Sequence, residues 1–159
     1  MIFVTLGTQK FQLLRLLNLL DELIKNGVIK ERVLVQAGYT QINSDRMELH
    51  KFLSKTDMEM FIKSSNLVIA HGGTSSIIQA LSHEKKVLAV PRLKKFHEHV
   101  DDHQLDIVSE FKKKNYLEVY LDNDSESLAK QINKLRHTNY KKYTNDNKRL
   151  LEDIFENIV

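Results

Sequence analysis

The side chains best suited to chemistry lie in one short segment, Leu67–Pro91, which reads LVIAHGGTSSIIQALSHEKKVLAVP. An apolar strand there runs into a His-Gly-Gly turn, and a Thr-Ser-Ser sequence opens the helix that follows. Glycines in such a turn let the backbone approach a ligand, and the free N–H groups and positive dipole end of the helix favour a diphosphate. We therefore predict a phosphate site formed by six residues: His71, Gly72, Gly73, Thr74, Ser75 and Ser76.

The same residues also fit an ordinary structural role. Gly72 and Gly73 would then form only a tight turn, and Thr74 or Ser75 would only cap the helix. The segment taken alone leaves both interpretations open.

A second strand–glycine–helix unit lies at the start of the chain. Met1–Leu6 is an apolar strand that stops at Gly7 and Thr8, and a leucine-rich helix follows over Phe11–Ile24. The unit contains neither the GxGxxG of a dinucleotide-binding fold nor the Gly-Lys-Ser/Thr of a P-loop. Gly38 also follows an apolar strand, so we expect these glycines at the carboxyl edge of a sheet, where open α/β sheets bind ligands.

Strand and helix patterns alternate along the chain and place these turns. The predicted strands are Ile2–Leu6, Arg32–Gln36, Leu49–Leu53, Leu67–Ala70, Lys86–Val90 and Leu117–Tyr120. The predicted helices are Lys10–Lys25, Met58–Ser64, Ser75–His83, Val100–Lys113, Ser125–Arg136 and about Tyr140–Ile158. The alternation predicts an α/β fold over residues 1–159, a single domain with a Rossmann-like parallel sheet and helices on both faces.

The composition excludes several classes of protein. The chain of 159 residues contains no cysteine, which excludes disulfides, thiolate zinc sites and cysteine nucleophiles and favours a cytoplasmic location. No apolar run approaches the ~20 residues that span a bilayer. The net charge of +3 is mild, and aromatic residues do not interleave with the basic clusters, so nucleic acid is not expected as a partner. Only one basic cluster, Arg92 with Lys94 and Lys95, follows a strand end.

Four segments in order resemble the carboxyl-terminal, donor-binding half of GT-B glycosyltransferases of family 28. They are MIFVTLGT, VQAGYT, DMEMFIKSSNLVIAHGGTSSIIQAL and DDHQLDIV, and together they cover nearly all of Met1–Phe111. The chain is similar to stand-alone members of that family. These are the PssE/EpsF-like subunits of bacterial capsule and exopolysaccharide synthesis and the soluble catalytic subunit of the eukaryotic dolichol-linked UDP-GlcNAc transferase.

The resemblance implies a UDP-sugar donor bound across the carboxyl ends of the strands. Gly7 and Thr8 would lie beside the diphosphate, and His71 would contact phosphate and stabilise the leaving group. The start of the helix would cradle the phosphate oxygens with Gly73, Thr74, Ser75 and Ser76.

The resemblance also implies subsites for the nucleoside and the sugar. Gln36 and Gly38 match positions that line the base pocket. A helix acid usually accepts both ribose hydroxyls, and here Gln79 takes its place, although an amide is a weaker acceptor than a carboxylate. The resemblance implies that three residues bind the sugar hydroxyls: Asp102, His103 and Gln104.

The expected chemistry is an inverting transfer, which needs a general base and stabilisation of the leaving UDP. Helix dipole, backbone N–H groups and the histidine can stabilise UDP without a metal or cofactor. In two-domain relatives the base belongs to the acceptor-binding half, which this chain lacks. We therefore expect a membrane-associated partner subunit with a lipid-linked saccharide acceptor, holding this chain at the inner face of the membrane.

Two other interpretations compete with this one. The segment containing His97, His99 and His103 nearly spells the HxHxDH of dinuclear zinc hydrolases, although one extra residue separates the acid from the last histidine. Alternatively, the chain binds nucleotide or a partner without catalysing transfer, and the amide of Gln79 leaves that alternative open.

Overall fold

Residues 1–144, the part of the chain that this computed structural model describes, contain six strands and five α-helices, which alternate except that the second and third strands follow each other directly. The strands are β1 Ile2–Thr5, β2 Val33–Gln36, β3 Glu48–His50, β4 Leu67–His71, β5 Lys86–Val90 and β6 Glu118–Val119. The helices are α1 Leu14–Lys25, α2 Lys55–Ser64, α3 Thr74–Ser82, α4 His103–Lys113 and α5 Ser125–His137, with a short 3-10 turn at Lys94–Phe96.

All six strands form one parallel sheet in the order β3-β2-β1-β4-β5-β6. β1 lies at its centre, with Ile2 paired to Val33 of β2 on one side and to Leu67 of β4 on the other. The chain runs outward from β1 in both directions, so β1 and β4 flank the point where the strand order reverses. This confirms the predicted Rossmann-like α/β fold, in which ligands bind at that reversal.

The four central strands β1, β2, β4 and β5 are mostly apolar because helices cover both faces of the sheet there. Ile2 and Val4 of β1 belong to a core that includes five leucines of α1 together with Leu128 and Leu135 of α5. Phe3, between them, belongs to a second core formed with α2, α3 and α4. Leu19 and Leu23, which widen the apolar face of α1, are also buried within that first core.

Several helix starts differ from the predicted ones for local reasons. α2 begins at Lys55 rather than Met58 because the Ser54 side chain caps it, accepting a hydrogen bond from Asp57 N at 3.1 Å. α1 begins only at Leu14, since the preceding Leu13 is itself buried and its N–H donates to Thr40 Oγ1. β3 lies at Glu48–His50, slightly before the predicted Leu49–Leu53.

The predicted last helix falls mainly outside the described part of the chain. Residues 140–144 are irregular, and Tyr143 packs edge-on against Tyr116 with ring centroids 5.4 Å apart. The remaining residues of the prediction, 145–158, lie beyond the described residues. Among residues 1–144, no helix is long and apolar enough to cross a bilayer.

Candidate functional site

A crevice of about 410 Å³ opens at the carboxyl ends of β1 and β4, where the strand order reverses. Of the predicted site residues, the crevice is lined by Gly7, Thr8, Gln36, His71, Gly73, Thr74, Ser75 and Ser76. The other predicted residues, Gly38, Gly72, Gln79, Asp102, His103 and Gln104, lie outside its lining.

The imidazole of His71 lies between the two glycine turns. A Cβ added at Gly7 would stand 2.4 Å from His71 Nε2, and one added at Gly73 would stand 2.3 Å from Cε1. Gly7 also has a φ of +73°, which side chains larger than hydrogen rarely adopt. A side chain at either position would therefore displace the histidine ring, whether or not a ligand is bound.

His71 is uncharged at neutral pH. His71 is 6% exposed, and its burial, with the positive charge of Arg92 as a second cause, lowers its pKa to about 4. Its Nδ1 lies 3.4 Å from Gln104 Nε2, and its Nε2 lies 3.4 Å from Ser76 Oγ. The imidazole can therefore offer the crevice a hydrogen bond, but not a positive charge.

The start of α3 points to ligand binding more than to simple capping. The N-cap is Gly73, not Thr74 or Ser75, and in the described part of the chain no side chain accepts from this helix end. The first turn of a helix carries N–H groups without intrahelical partners, together with the positive end of the dipole. Because residues 73–76 line the crevice, those donors and the hydroxyls of Thr74, Ser75 and Ser76 surround a space suited to an anion.

Gln36 and Gly38 shape the first glycine turn. Gln36 accepts from Thr5 Oγ1 at 2.8 Å and donates to the carbonyls of Gly7 and Lys51, both at 3.0 Å. Gly38 has a φ of +58°, and a Cβ there would stand 2.6 Å from Gly7 O. The Gln36 amide is thus occupied by the fold at the floor of the crevice, and Gly38 lies behind the turn.

Gln104 contacts His71 through its side-chain amide, whereas the preceding residues Asp102 and His103 face solvent. Its buried amide oxygen accepts from Gly72 N at 3.0 Å and from Arg92 N at 2.9 Å. Asp102 and His103 are exposed at the start of α4. Gln79 is partly buried one turn along α3 from Ser75, on the same side of the helix.

Buried charges, which the sequence patterns did not reveal, hold the loop after β5 against the start of the chain. Arg92 is 1% exposed and donates to the carbonyls of Leu6 at 2.5 Å and Phe11 at 2.8 Å. Burial lowers the pKa of Arg92 to about 10, against the opposing effect of Glu98. Arg15 pairs with Glu98 through two hydrogen bonds of 2.9 and 3.0 Å, and both side chains are almost fully buried. Arg92 therefore belongs to the interior, apart from the exposed lysines that follow it in sequence.

The crevice also has an apolar wall that sequence patterns did not indicate. Phe52, Leu53 and Met58 line it, and Phe52 remains half exposed while its ring meets the edge of Tyr39 at a centroid distance of 5.5 Å. Only the folded chain brings this segment beside the glycine turns.

The histidine segment has no arrangement typical of a zinc site. His99 pairs with Asp101 at 2.9 Å, His103 lies 3.8 Å from the same carboxylate, and His97 is exposed. Across residues 1–144, no three His, Asp or Glu side chains are placed to hold a metal ion. The metallohydrolase alternative therefore gains no support from the geometry.

The crevice at the sheet reversal, with its glycine turns and open helix start, can be compared with known proteins. A profile described as "Glycosyltransferase family 28 C-terminal domain" matches residues 1–158. The chain belongs to this family.

A curated relative of this family 28 domain is "UDP-N-acetylglucosamine transferase subunit ALG13" of Candida albicans (strain SC5314 / ATCC MYA-2876). The two are 35% identical over 78 residues, which is 49% of this chain and 25% of that protein. This chain therefore spans far less than the full length of its relative.

Solved structures show the same fold. An NMR structure of ALG13 matches with a TM-score of 0.63 at 18% identity, over 99% of this chain and 96% of that one. CalG4, the calicheamicin glycosyltransferase, matches with a TM-score of 0.64 at 12% identity, over 98% of this chain and 38% of CalG4. The family 28 domain thus has the fold of the carboxyl-terminal domain of GT-B glycosyltransferases.

Proposed function

We propose that this chain is the donor-binding subunit of a two-component, inverting glycosyltransferase. It takes a hexose or N-acetylhexosamine from a UDP-sugar and transfers it to a lipid-linked saccharide in capsule or exopolysaccharide synthesis. The observation that carries the proposal is the crevice at the sheet reversal, where an uncharged His71 stands between two glycine turns beside the open N-terminus of α3.

The crevice offers the diphosphate many hydrogen-bond donors. The N–H groups of the first turn of α3 and the hydroxyls of Thr8 and Ser76 face the same space as His71. In the described part of the chain no carboxylate lines this space, so nothing there repels a diphosphate. Fixed donors of this kind stabilise the charge that develops on a leaving UDP.

The remaining parts of the donor fit the surroundings of the crevice. The apolar wall of Phe52, Leu53 and Met58 suits a nucleobase, which has apolar faces. Gln79 lies one turn beyond Ser75 on the same side of α3, and we assign it to the ribose. Asp102 and His103 are exposed and available for sugar hydroxyls.

Transfer to an acceptor requires a second component. Within residues 1–144 the crevice lining contains one titratable side chain, His71, and a histidine with a pKa of about 4 is a weak general base. We assign the base and the acceptor site to a membrane-associated partner that holds this chain at the inner face of the membrane. The Candida relative is named as a transferase subunit, which supports a partnership.

A non-catalytic, nucleotide-binding subunit is the second candidate function. It is favoured by the amide at Gln79, because an amide accepts hydrogen bonds from ribose less strongly than a carboxylate. Transfer assays with membranes containing the partner, with and without this chain, separate the two functions. A partner that transfers sugar equally well alone would favour the non-catalytic role.

Calorimetry with UDP, UDP-glucose, UDP-galactose and UDP-GlcNAc tests the donor site directly. His71→Ala should weaken UDP binding by about 5- to 150-fold, since losing one hydrogen-bond partner costs about 1–3 kcal/mol. His137→Ala, at the exposed end of α5, is the matched control and should bind like the wild type. A folded His71→Ala variant with unchanged UDP affinity would contradict the proposed site.

A further inference from the structure

The orientation of the Gln104 amide is determined by its surroundings. Its oxygen accepts from two backbone N–H groups, those of Gly72 at 3.0 Å and Arg92 at 2.9 Å. A reversed amide would place its NH₂ group against both donors and leave them unsatisfied in a buried site. The amide nitrogen must therefore point the other way.

The nitrogen of that amide faces His71. Gln104 Nε2 lies 3.4 Å from His71 Nδ1 and 3.3 Å from Gln9 Oε1. An amide nitrogen only donates hydrogen bonds, so the ring nitrogen that faces it must be the unprotonated acceptor. In a neutral imidazole the proton then stands on Nε2, which lies 3.4 Å from Ser76 Oγ at the crevice.

We propose that Gln104 is a positioning residue that holds His71 in the Nε2–H tautomer, with a hydrogen-bond donor directed at the crevice. That this donor meets a diphosphate rests on the proposed function, whereas the tautomer itself does not. The resemblance to family 28 proteins places Gln104 against the sugar, but here its amide is enclosed by Gly72, Arg92, Gln9 and His71.

The environment of the ring favours this neutral form. Burial and the nearby guanidinium of Arg92 both disfavour a doubly protonated imidazole, and no described carboxylate hydrogen-bonds to the ring. Without Gln104, either tautomer could form. The backbone N–H groups of Gly72 and Arg92 thus fix the orientation of the Gln104 amide, and the amide in turn fixes which nitrogen of His71 carries the proton.

Long-range ¹H–¹⁵N correlation spectra of the uniformly ¹⁵N-labelled full chain test this directly, because the ¹⁵N shifts of imidazole distinguish the two tautomers and the imidazolium. His71→Gln identifies the signals of His71. In the ligand-free wild type at pH 7.5 we expect a protonated Nε2 and an unprotonated Nδ1. A wild-type ring with its proton on Nδ1 would overturn the proposal.

Gln104→Glu is the informative variant. A carboxylate keeps an acceptor for Gly72 N and Arg92 N but replaces the donor at His71 with a second acceptor. We expect Nδ1 to become protonated, as the other tautomer or as imidazolium, and a merely structural Gln104 would leave the tautomer unchanged. Gln9→Ala removes the other partner of the amide nitrogen and should preserve the wild-type tautomer.

Two further experiments distinguish a wrong tautomer assignment from a misfolded variant and from failure of the proposed function. If Gln104→Glu does not fold, Gln104→Met, which lacks both donor and acceptor, should show a mixture of tautomers, and a pure Nε2–H form there would overturn the proposal. A wild-type Nε2–H tautomer in a protein that does not bind UDP would support the positioning role and refute the proposed function.

Discussion

Gly73→Ala tests whether the His71 ring is the reason for glycine at the start of α3. Gly73 has a φ of −79°, which alanine adopts without strain, so the substitution leaves the backbone undisturbed. Its new Cβ would stand 2.3 Å from His71 Cε1, and its three nearest neighbours are all atoms of that imidazole. The ring must move by about 1 Å to reach an ordinary contact distance.

The expected cost has two parts. Overpacking of a buried ring by one methyl group costs about 1–3 kcal/mol. Alanine is also a poorer N-cap than glycine, which adds about 0.5–1 kcal/mol. In a His71→Ala background the first part disappears, because the ring is absent, and only the capping cost remains. Gly73→Ala should therefore cost about 1–3 kcal/mol less in that background.

Urea unfolding of the wild type, both single variants and the double variant measures this coupling in the free energy of unfolding. Gly27→Ala supplies the control, since a Cβ there would meet no atom within 4 Å, and its cost should not depend on residue 71. Gly73→Ala should also weaken UDP binding, because it displaces the ring. Additive costs for Gly73→Ala and His71→Ala would refute the assigned contact.

Three further results are expected. Burial lowers the pKa of His71 to about 4 from an ordinary 6.5, so the unfolded chain takes up a proton there more readily than the folded one. The free energy of unfolding should therefore fall as the pH drops below about 6.5 toward 4, by about 2 kcal/mol at pH 5. Urea unfolding at pH 7 and pH 5 should show this loss, and His71→Gln should abolish it. Arg15→Met leaves the buried Glu98 carboxylate without its ion-pair partner and should lower the free energy of unfolding by about 3 kcal/mol. Lys130→Ala, which breaks the exposed pair with Glu126, should lower it by less than about 0.5 kcal/mol. Equal losses in urea unfolding would contradict the importance of burial. UDP affinity measured by calorimetry should be the same in EDTA and in Mg²⁺, because no carboxylate lines the described crevice. A strong requirement for Mg²⁺ would show that the N–H groups of α3 and the hydroxyl groups do not suffice to bind the diphosphate.

The central strands were predictable because a strand covered on both faces is mostly apolar. β5 has the predicted bounds Lys86–Val90, and β4 extends only one residue past the prediction, to His71. Helix starts were less predictable. α4 begins at His103 rather than Val100, since Asp102 bonds to Lys94 N across the preceding loop, an interaction between segments that local periodicity does not reveal.

The position of the crevice followed from sequence, because glycine turns after apolar strands meet at the carboxyl edge of a parallel sheet. Gly7 and His71 both line this crevice, and their contact with a diphosphate stays a prediction. The wall of Phe52, Leu53 and Met58 was missed. An apolar residue next to a strand has the same pattern whether it enters the core or stays exposed at a crevice.

The sequence by itself determined the fold class and the location of the crevice, since these depend on patterns of residues close together in the chain. The structure decided that α3 starts after Gly73 without a side-chain cap from the described residues. The tertiary structure alone decided which polar groups are used inside the fold. Gln104 meets His71 across 33 residues, and Arg15 meets Glu98 across 83. A buried polar group must find a hydrogen-bond partner wherever the folded chain brings one, and no local pattern records that partner.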